Sequence, residues 1–269
     1  IAVSEDWIAV LEPALESEES GEIRLLLGED GLEQTQIDAS GTASDVCVDK
    51  ESGSIVATGW KTAREGSRTF GIGYIAAYDR NRFLKWRAYD RTMKESTDRY
   101  INQPGDNEDG TRGQRCEIGP DGKLYVAFEV YGPNHPLRYA PFDVTSRVEI
   151  VGGDKYNELP ETGTWPGIFF GRYTLEDGGY ELGQQVVGRL VAGDANAVRI
   201  GEGDLAADGE GRVYLTGTAE PGYPATYLPE GTTDNSGGAF VLVSSADFAT
   251  RLLSTRVTAR GQGHGIAVA

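Results

Sequence analysis

Apolar residues fall in short runs broken by turns rich in Gly, Asp, Asn and Ser, and one run-turn-run string recurs along the chain. Val46-Cys47-Val48-Asp49 passes through Ser52-Gly53 into Ile55-Val56-Ala57-Thr58-Gly59. Cys116-Glu117-Ile118 passes through Pro120-Asp121-Gly122 into Leu124-Tyr125-Val126-Ala127-Phe128. Leu205-Ala206-Ala207-Asp208 passes through Gly209-Glu210-Gly211 into Val213-Tyr214-Leu215-Thr216-Gly217. A shorter copy opens the chain, Ile1-Ala2-Val3 with Trp7-Ile8-Ala9-Val10, and Ile266-Ala267-Val268 begins another. Such runs predict strands, and their turns predict hairpins, because Gly takes positive φ while Asp and Asn bond their own backbone.

A third strand follows each hairpin: Glu22–Leu27, Gly73–Tyr78, Gly167–Tyr173 and Ala239–Val243. A fourth is clearest in Phe83–Tyr89 and Arg251–Thr255. Four short strands per unit, repeated in phase, predict an all-β β-propeller of four-stranded antiparallel blades. A β-sandwich also has many short strands but gives no reason for the same string to recur in phase. The blades fall at residues 1–40, 44–90, 114–189 and 203–257, with 264–269 opening a fifth. Because the count stops on the first strand of a blade, and the chain opens and closes inside apolar runs, the expectation is a fragment of a larger ring.

The string Asp204-Leu205-Ala206-Ala207-Asp208-Gly209-Glu210-Gly211-Arg212-Val213-Tyr214-Leu215-Thr216-Gly217, with Gly238-Ala239-Phe240-Val241 and Gly263-His264-Gly265-Ile266-Ala267-Val268, resembles the bacterial seven-bladed β-propeller repeat. That resemblance is good in the fourth copy, fair in the second and weak in the first and third. It implies a propeller fold and an exported bacterial protein, placed outside the cell, on its surface or in the periplasm. It implies no reaction, since the repeat carries structural residues alone.

On a propeller the loops sort onto two rims. Turns joining first to second and third to fourth strands are short here, as in Asp208–Gly211, Asp79–Arg82 and Ser245–Phe248. The opposite rim receives the insertions 90–114, 132–166 and 218–237, together with Lys61–Thr69. Long loops on a rigid scaffold are where binding residues concentrate. Candidate ligand-binding residues on that rim are Arg138, Tyr139, Trp165, Tyr223 and Tyr227, accompanied by Tyr131, Phe142 and Tyr156. Aromatic faces beside polar groups suit sugar rings or an extended polymer, and they also suit pinning a long loop to its own blade.

Composition narrows the partner. Lys+Arg 25 against Asp+Glu 42 gives a formal charge of −17, which opposes a nucleic-acid backbone or an anionic leaflet. No apolar run approaches a membrane span. Within Gly105–Gly110, the residues Asp106, Asn107 and Asp109 form a candidate calcium loop, though their spacing is not that of an EF-hand. The same residues also read as a solvated acidic loop. Cys47 and Cys116 lie in corresponding first strands, facing opposite ways; one reading is that packing of neighbouring blades joins them in a disulfide, the other that they are small buried core residues. No nucleophile elbow, metalloprotease helix, phosphate loop or haem-attachment motif is present. His135, beside Arg138 and Tyr139, is the weak catalytic candidate, as a general base in partnership with Asp106 or Asp109.

The expected function is therefore a non-catalytic, exported propeller scaffold. It would hold a protein subunit or a glycan on its long-loop rim, within a larger complex. The alternative is a propeller enzyme, a polysaccharide lyase or hydrolase or a small-molecule oxidoreductase, with its site above the central channel.

Overall fold

The computed structural model describes residues 2–3, 7–12, 22–27, 33–38, 41–65, 68–91, 95, 110–131, 135–151, 165–227, 237–257 and 261–268. Among them the chain is all-β, with a single 3-10 turn at Pro136–Arg138. The first sheet is a meander of β1 (Ala2–Val3), β2 (Trp7–Glu12), β3 (Glu22–Leu27) and β4 (Glu33–Asp38). The second repeats that order with β5 (Thr42–Val48), β6 (Ile55–Glu65), β7 (Arg68–Tyr78) and β8 (Leu84–Ala88). The third joins β9 (Thr111–Ile118) and β10 (Lys123–Tyr131) to β13 (Pro166–Thr174) and β14 (Tyr180–Val186). The insertion between β10 and β13 holds a small hairpin, β11 (Tyr139–Ala140) with β12 (Asp143–Arg147).

Two further short strands, β15 (Gly188–Arg189) and β16 (Ala195–Asn196), pair with each other before the fourth sheet. In that sheet β17 (Val198–Arg199) and β18 (Leu205–Ala207) both pair with β19 (Val213–Ala219), followed by β20 (Gly238–Ser244) and β21 (Arg251–Arg256). The fourth sheet thus starts at Val198 rather than 203, because its first strand is split around residues 200–204.

The recurring strings of the sequence are the first hairpins of sheets two, three and four. Each turn has one glycine in the left-handed region at the same place: Gly53 (φ 69°), Gly122 (φ 73°) and Gly211 (φ 82°). An L-residue there would be strained, so the turn chemistry fixes the register. Two expectations are corrected. Lys61–Thr69 is no loop, since β6 and β7 stay paired out to Glu65 opposite Arg68. Ile266–Val268 forms no strand among the described residues; Ile266 is held on sheet four by its N–H to Asp204.

Consecutive sheets pack face to face through separate apolar cores. Ala9 of β2 meets Val46, Ala57, Tyr74 and Tyr78 of sheet two. Cys47, Val56, Ile75 and Trp86 meet Cys116, Val126, Phe128 and Phe169 of sheet three. Tyr125, Ala127, Ile168 and Phe170 meet Leu205, Val213, Leu215, Phe240 and Phe248 of sheet four. Each fully buried aromatic or branched side chain here contributes about 1.5–3 kcal/mol.

One polar device recurs from each first strand to the segment that follows its sheet. Asp45, just past a bulge in β5, accepts the N–H of Cys116 at 2.9 Å. Arg115, just past a bulge in β9, donates to the carbonyls of Gly203 (2.7 Å) and Gly201 (2.9 Å). Asp204, just past the split in the fourth sheet's first strand, accepts the N–H of Ile266 at 3.3 Å. Gly263 lies on Thr216–Gly217 as Gly113 of β9 lies on Thr58–Gly59. Among the described residues no helix is long and apolar enough to cross a membrane.

Candidate functional site

At the long-loop end of sheets two and three, three side chains are brought together, two from strand ends and one from the middle of β6. β9 opens there at Thr111-Arg112, and β10 closes with Tyr131 opposite Pro166. Two hydrogen bonds pin this corner: Gly73 N–H to Thr111 Oγ1 at 2.8 Å, and Tyr131 N–H to the Gly110 carbonyl at 3.0 Å. The Arg112 guanidinium carbon lies 5.4 Å from the Trp60 ring centroid and 5.8 Å from that of Tyr131. Gly71 makes the room, since a Cβ there would meet the Thr111 carbonyl at 2.9 Å and Arg112 Cγ at 3.3 Å.

Next to this clamp Glu129 is buried opposite Arg112 in the ladder. Its carboxylate accepts the Tyr131 hydroxyl at 3.4 Å and stands 3.8 Å from Arg199 of sheet four. Arg112 itself is exposed, and among the described residues none accepts a hydrogen bond from its guanidinium. With aromatic rings against the cation, its fork of N–H donors is unfilled among the described residues, and such a fork matches a carboxylate or similar planar anion.

Of the residues singled out by sequence, Trp165 is half exposed and directly precedes Pro166, the partner of Tyr131. Tyr227 is exposed beside β21, its N–H donating to the Ser254 carbonyl at 3.2 Å. Arg138 and Tyr139 are half-buried at the start of the β11–β12 hairpin, held by Val148 N–H on the Arg138 carbonyl. Tyr223 is corrected from ligand contact to core: it stacks on Phe240 at 4.8 Å, and its hydroxyl accepts from Ser254 Oγ at 3.0 Å.

His135 is corrected as well. It is fully buried, its ring lies 5.8 Å from that of Phe169, and its Nε2 meets the side-chain amide of Gln185. Burial, with the Arg138 charge nearby, holds its pKa well below the ordinary histidine value, so it stays neutral and out of reach of a substrate. Asp106, Asn107, Asp109 and Tyr156 lie outside the described residues. Among those described, no group of three His, Cys, Asp or Glu side chains could hold a metal.

Cys47 and Cys116 do come together in the core between sheets two and three, as buried free thiols. Beside them Glu117 is pushed up to about 7 by burial and by the charges of Asp204 and Asp45, with Lys50 opposing. Asp45 is raised by burial against the pull of the Cys116 N–H and Arg115.

At the opposite, short-turn end, the same pair of sheets forms an open cleft of about 380 Å³. Ser52, Ser54, Lys85, Lys123, Thr174 and Glu176 are among its lining residues. Lys123 is already bound by Glu181, so this cleft offers a mixed and partly satisfied set of charges.

Trp60, Glu129 and Arg199 sit in strands, where sequence reasoning expected no site, and Arg112 falls within the expected insertion 90–114, whose last residues belong to β9 from Thr111 onward. The available signal was Arg112 in Thr111-Arg112-Gly113, one position before the glycine that packs on Thr58-Gly59. No family model matches the chain, and no curated protein matches it.

Proposed function

We propose that the four sheets are blades of a β-propeller from an exported bacterial protein, and that the chain is a non-catalytic scaffold binding a protein partner on its long-loop rim. Support for the propeller is the repeated tie from Asp45, Arg115 and Asp204, in equivalent places, to the segment that follows each sheet. Gly263 also sits on sheet four as Gly113 of β9 sits on sheet two.

The observation that carries the function is the clamp of Arg112 against Trp60 and Tyr131, its donor edge unfilled among the described residues. Trp, Tyr and Arg are the residue types that dominate binding energy at protein interfaces. Rings already in contact with a guanidinium are less available to sugar rings, which favours a protein partner over a glycan. The partner's matching group is an Asp, Glu or C-terminal carboxylate. The enzyme alternative is weakened by the burial of its one proposed base, His135.

Titration of the immobilised chain against a peptide library displaying Asp and Glu, in parallel with a glycan array, tests this reading. Acid-bearing peptides are expected to bind, and Arg112→Ala is expected to weaken them about tenfold or more with an unchanged melting temperature. Binding to glycans alone, or peptide binding indifferent to Arg112→Ala, overturns it.

A further inference from the structure

Cys47 on β5 and Cys116 on β9 belong to the first strands of adjacent sheets, and both are buried. Val56 locates them relative to one another. It is the cross-strand partner of Cys47, and its carbonyl receives the Cys116 thiol at 3.6 Å. The bond from Cys116 N–H to Asp45, two residues from Cys47, fixes the relative height of the two strands. Both thiols belong to the same buried cluster between the two sheets. The chain has Cys 2 in all, so an intramolecular pairing has no competitor.

We propose that Cys47 and Cys116 form a disulfide between the second and third sheets when the chain folds in the presence of a small-molecule disulfide oxidant. One cysteine thiolate attacks a sulfur of the oxidant and releases the first small thiol. The other cysteine then attacks the mixed disulfide, which forms the Sγ–Sγ bond and releases the second. Two electrons and two protons leave the pair, and they reduce the oxidant to two thiols.

Burial sets when this happens. In the folded chain it pushes both thiols up, so the reactive thiolate is scarce and the oxidant is shut out. Exchange therefore belongs to the folding chain, after β5 and β9 meet and before the core between them closes. The cross-link encloses all of β6, β7 and β8, a long loop whose closure restricts the unfolded chain strongly. This inference does not depend on the binding role proposed above.

The full chain is refolded from denaturant once with a glutathione redox buffer and once with excess reductant. Each product is then analysed by intact mass and by thiol titration in denaturant. The oxidatively refolded chain is expected to be about 2 Da lighter, with no titratable thiol. It is expected to melt about 10 °C above the reduced chain. Two free thiols after oxidative refolding, a disulfide-linked dimer in place of the intramolecular bond, or a linked form that melts no higher each overturn the proposal. The Cys47→Ala/Cys116→Ala double variant is the control: its melting temperature must ignore the redox buffer.

Discussion

At Glu117 a carboxyl group is drawn partway into the contact between first strands, where burial and then the charges of Asp204 and Asp45 oppose its ionisation. Its folded-state pKa of about 7 stands above the ordinary glutamate value. The folded state therefore holds a proton that the unfolded chain has lost, and stability falls as pH rises from about 4.5 to about 7. Glu117→Gln removes that charge. It is expected to stabilise the protein by about 1 kcal/mol at pH 8, after allowance for solvent screening, and to lose that advantage toward pH 5. Melting curves of both forms at the two pH values check the sign.

Asp208 runs the other way. Desolvation pushes it up, but hydrogen bonds from Arg212, Tyr214 and the N–H groups of Arg212 and Glu210 outweigh that and hold it near 2. At this scale the sequence was a partial guide. An aromatic or histidine in a long loop looks the same whether it faces out, as Tyr227 does, or folds back as His135 and Tyr223 do. Only the neighbours Phe169, Gln185 and Phe240, distant in sequence, decide it.

The hairpins were legible because turn and strand chemistry agree at Gly53, Gly122 and Gly211, and a left-handed glycine leaves little freedom in register. The long β6–β7 hairpin was not, because Lys61–Arg64 mixes polar residues as a loop does while its backbone continues the ladder. How sheets approach is carried by other glycines. A Cβ on Gly113 would be driven into Thr58 Oγ1 and would lie 2.7 Å from the Gly59 nitrogen, so backbone itself must yield. Gly113→Ala is expected to destabilise the protein by about 3 kcal/mol or more in denaturant melts. Gly193→Ala is the matched control. That position has φ 94° and nothing within 4 Å of a new Cβ, so it should cost only the conformational strain, about 1 kcal/mol. Equal losses at the two positions would refute the close-approach argument.

For the molecule as a whole, a net charge of −17 is a standing self-repulsion spread over turns and loops around apolar inter-sheet cores. Salt screens it. Raising NaCl from about 10 mM to 500 mM shortens the Debye length from about 30 Å to about 4 Å and is expected to raise the melting temperature by about 3–5 °C. A fall would mean that ion pairs such as Arg172–Glu181 outweigh the repulsion. The repeating sheet order was readable from the phase of the hairpins. The clamp was not, since it depends on the start of β9 and the end of β10 meeting the middle of β6, and no single segment carries it.

The seat of residues 261–268 has a mechanical consequence. Gly263 N–H on the Gly217 carbonyl, Thr216 Oγ1 on the His264 carbonyl and Ile266 N–H on Asp204 hold this stretch, with no ladder behind them. Neighbouring sheets are joined by whole apolar faces as well as by ties. Under tension applied through its C-terminal side, the protein would yield first at those three bonds and reseat when released.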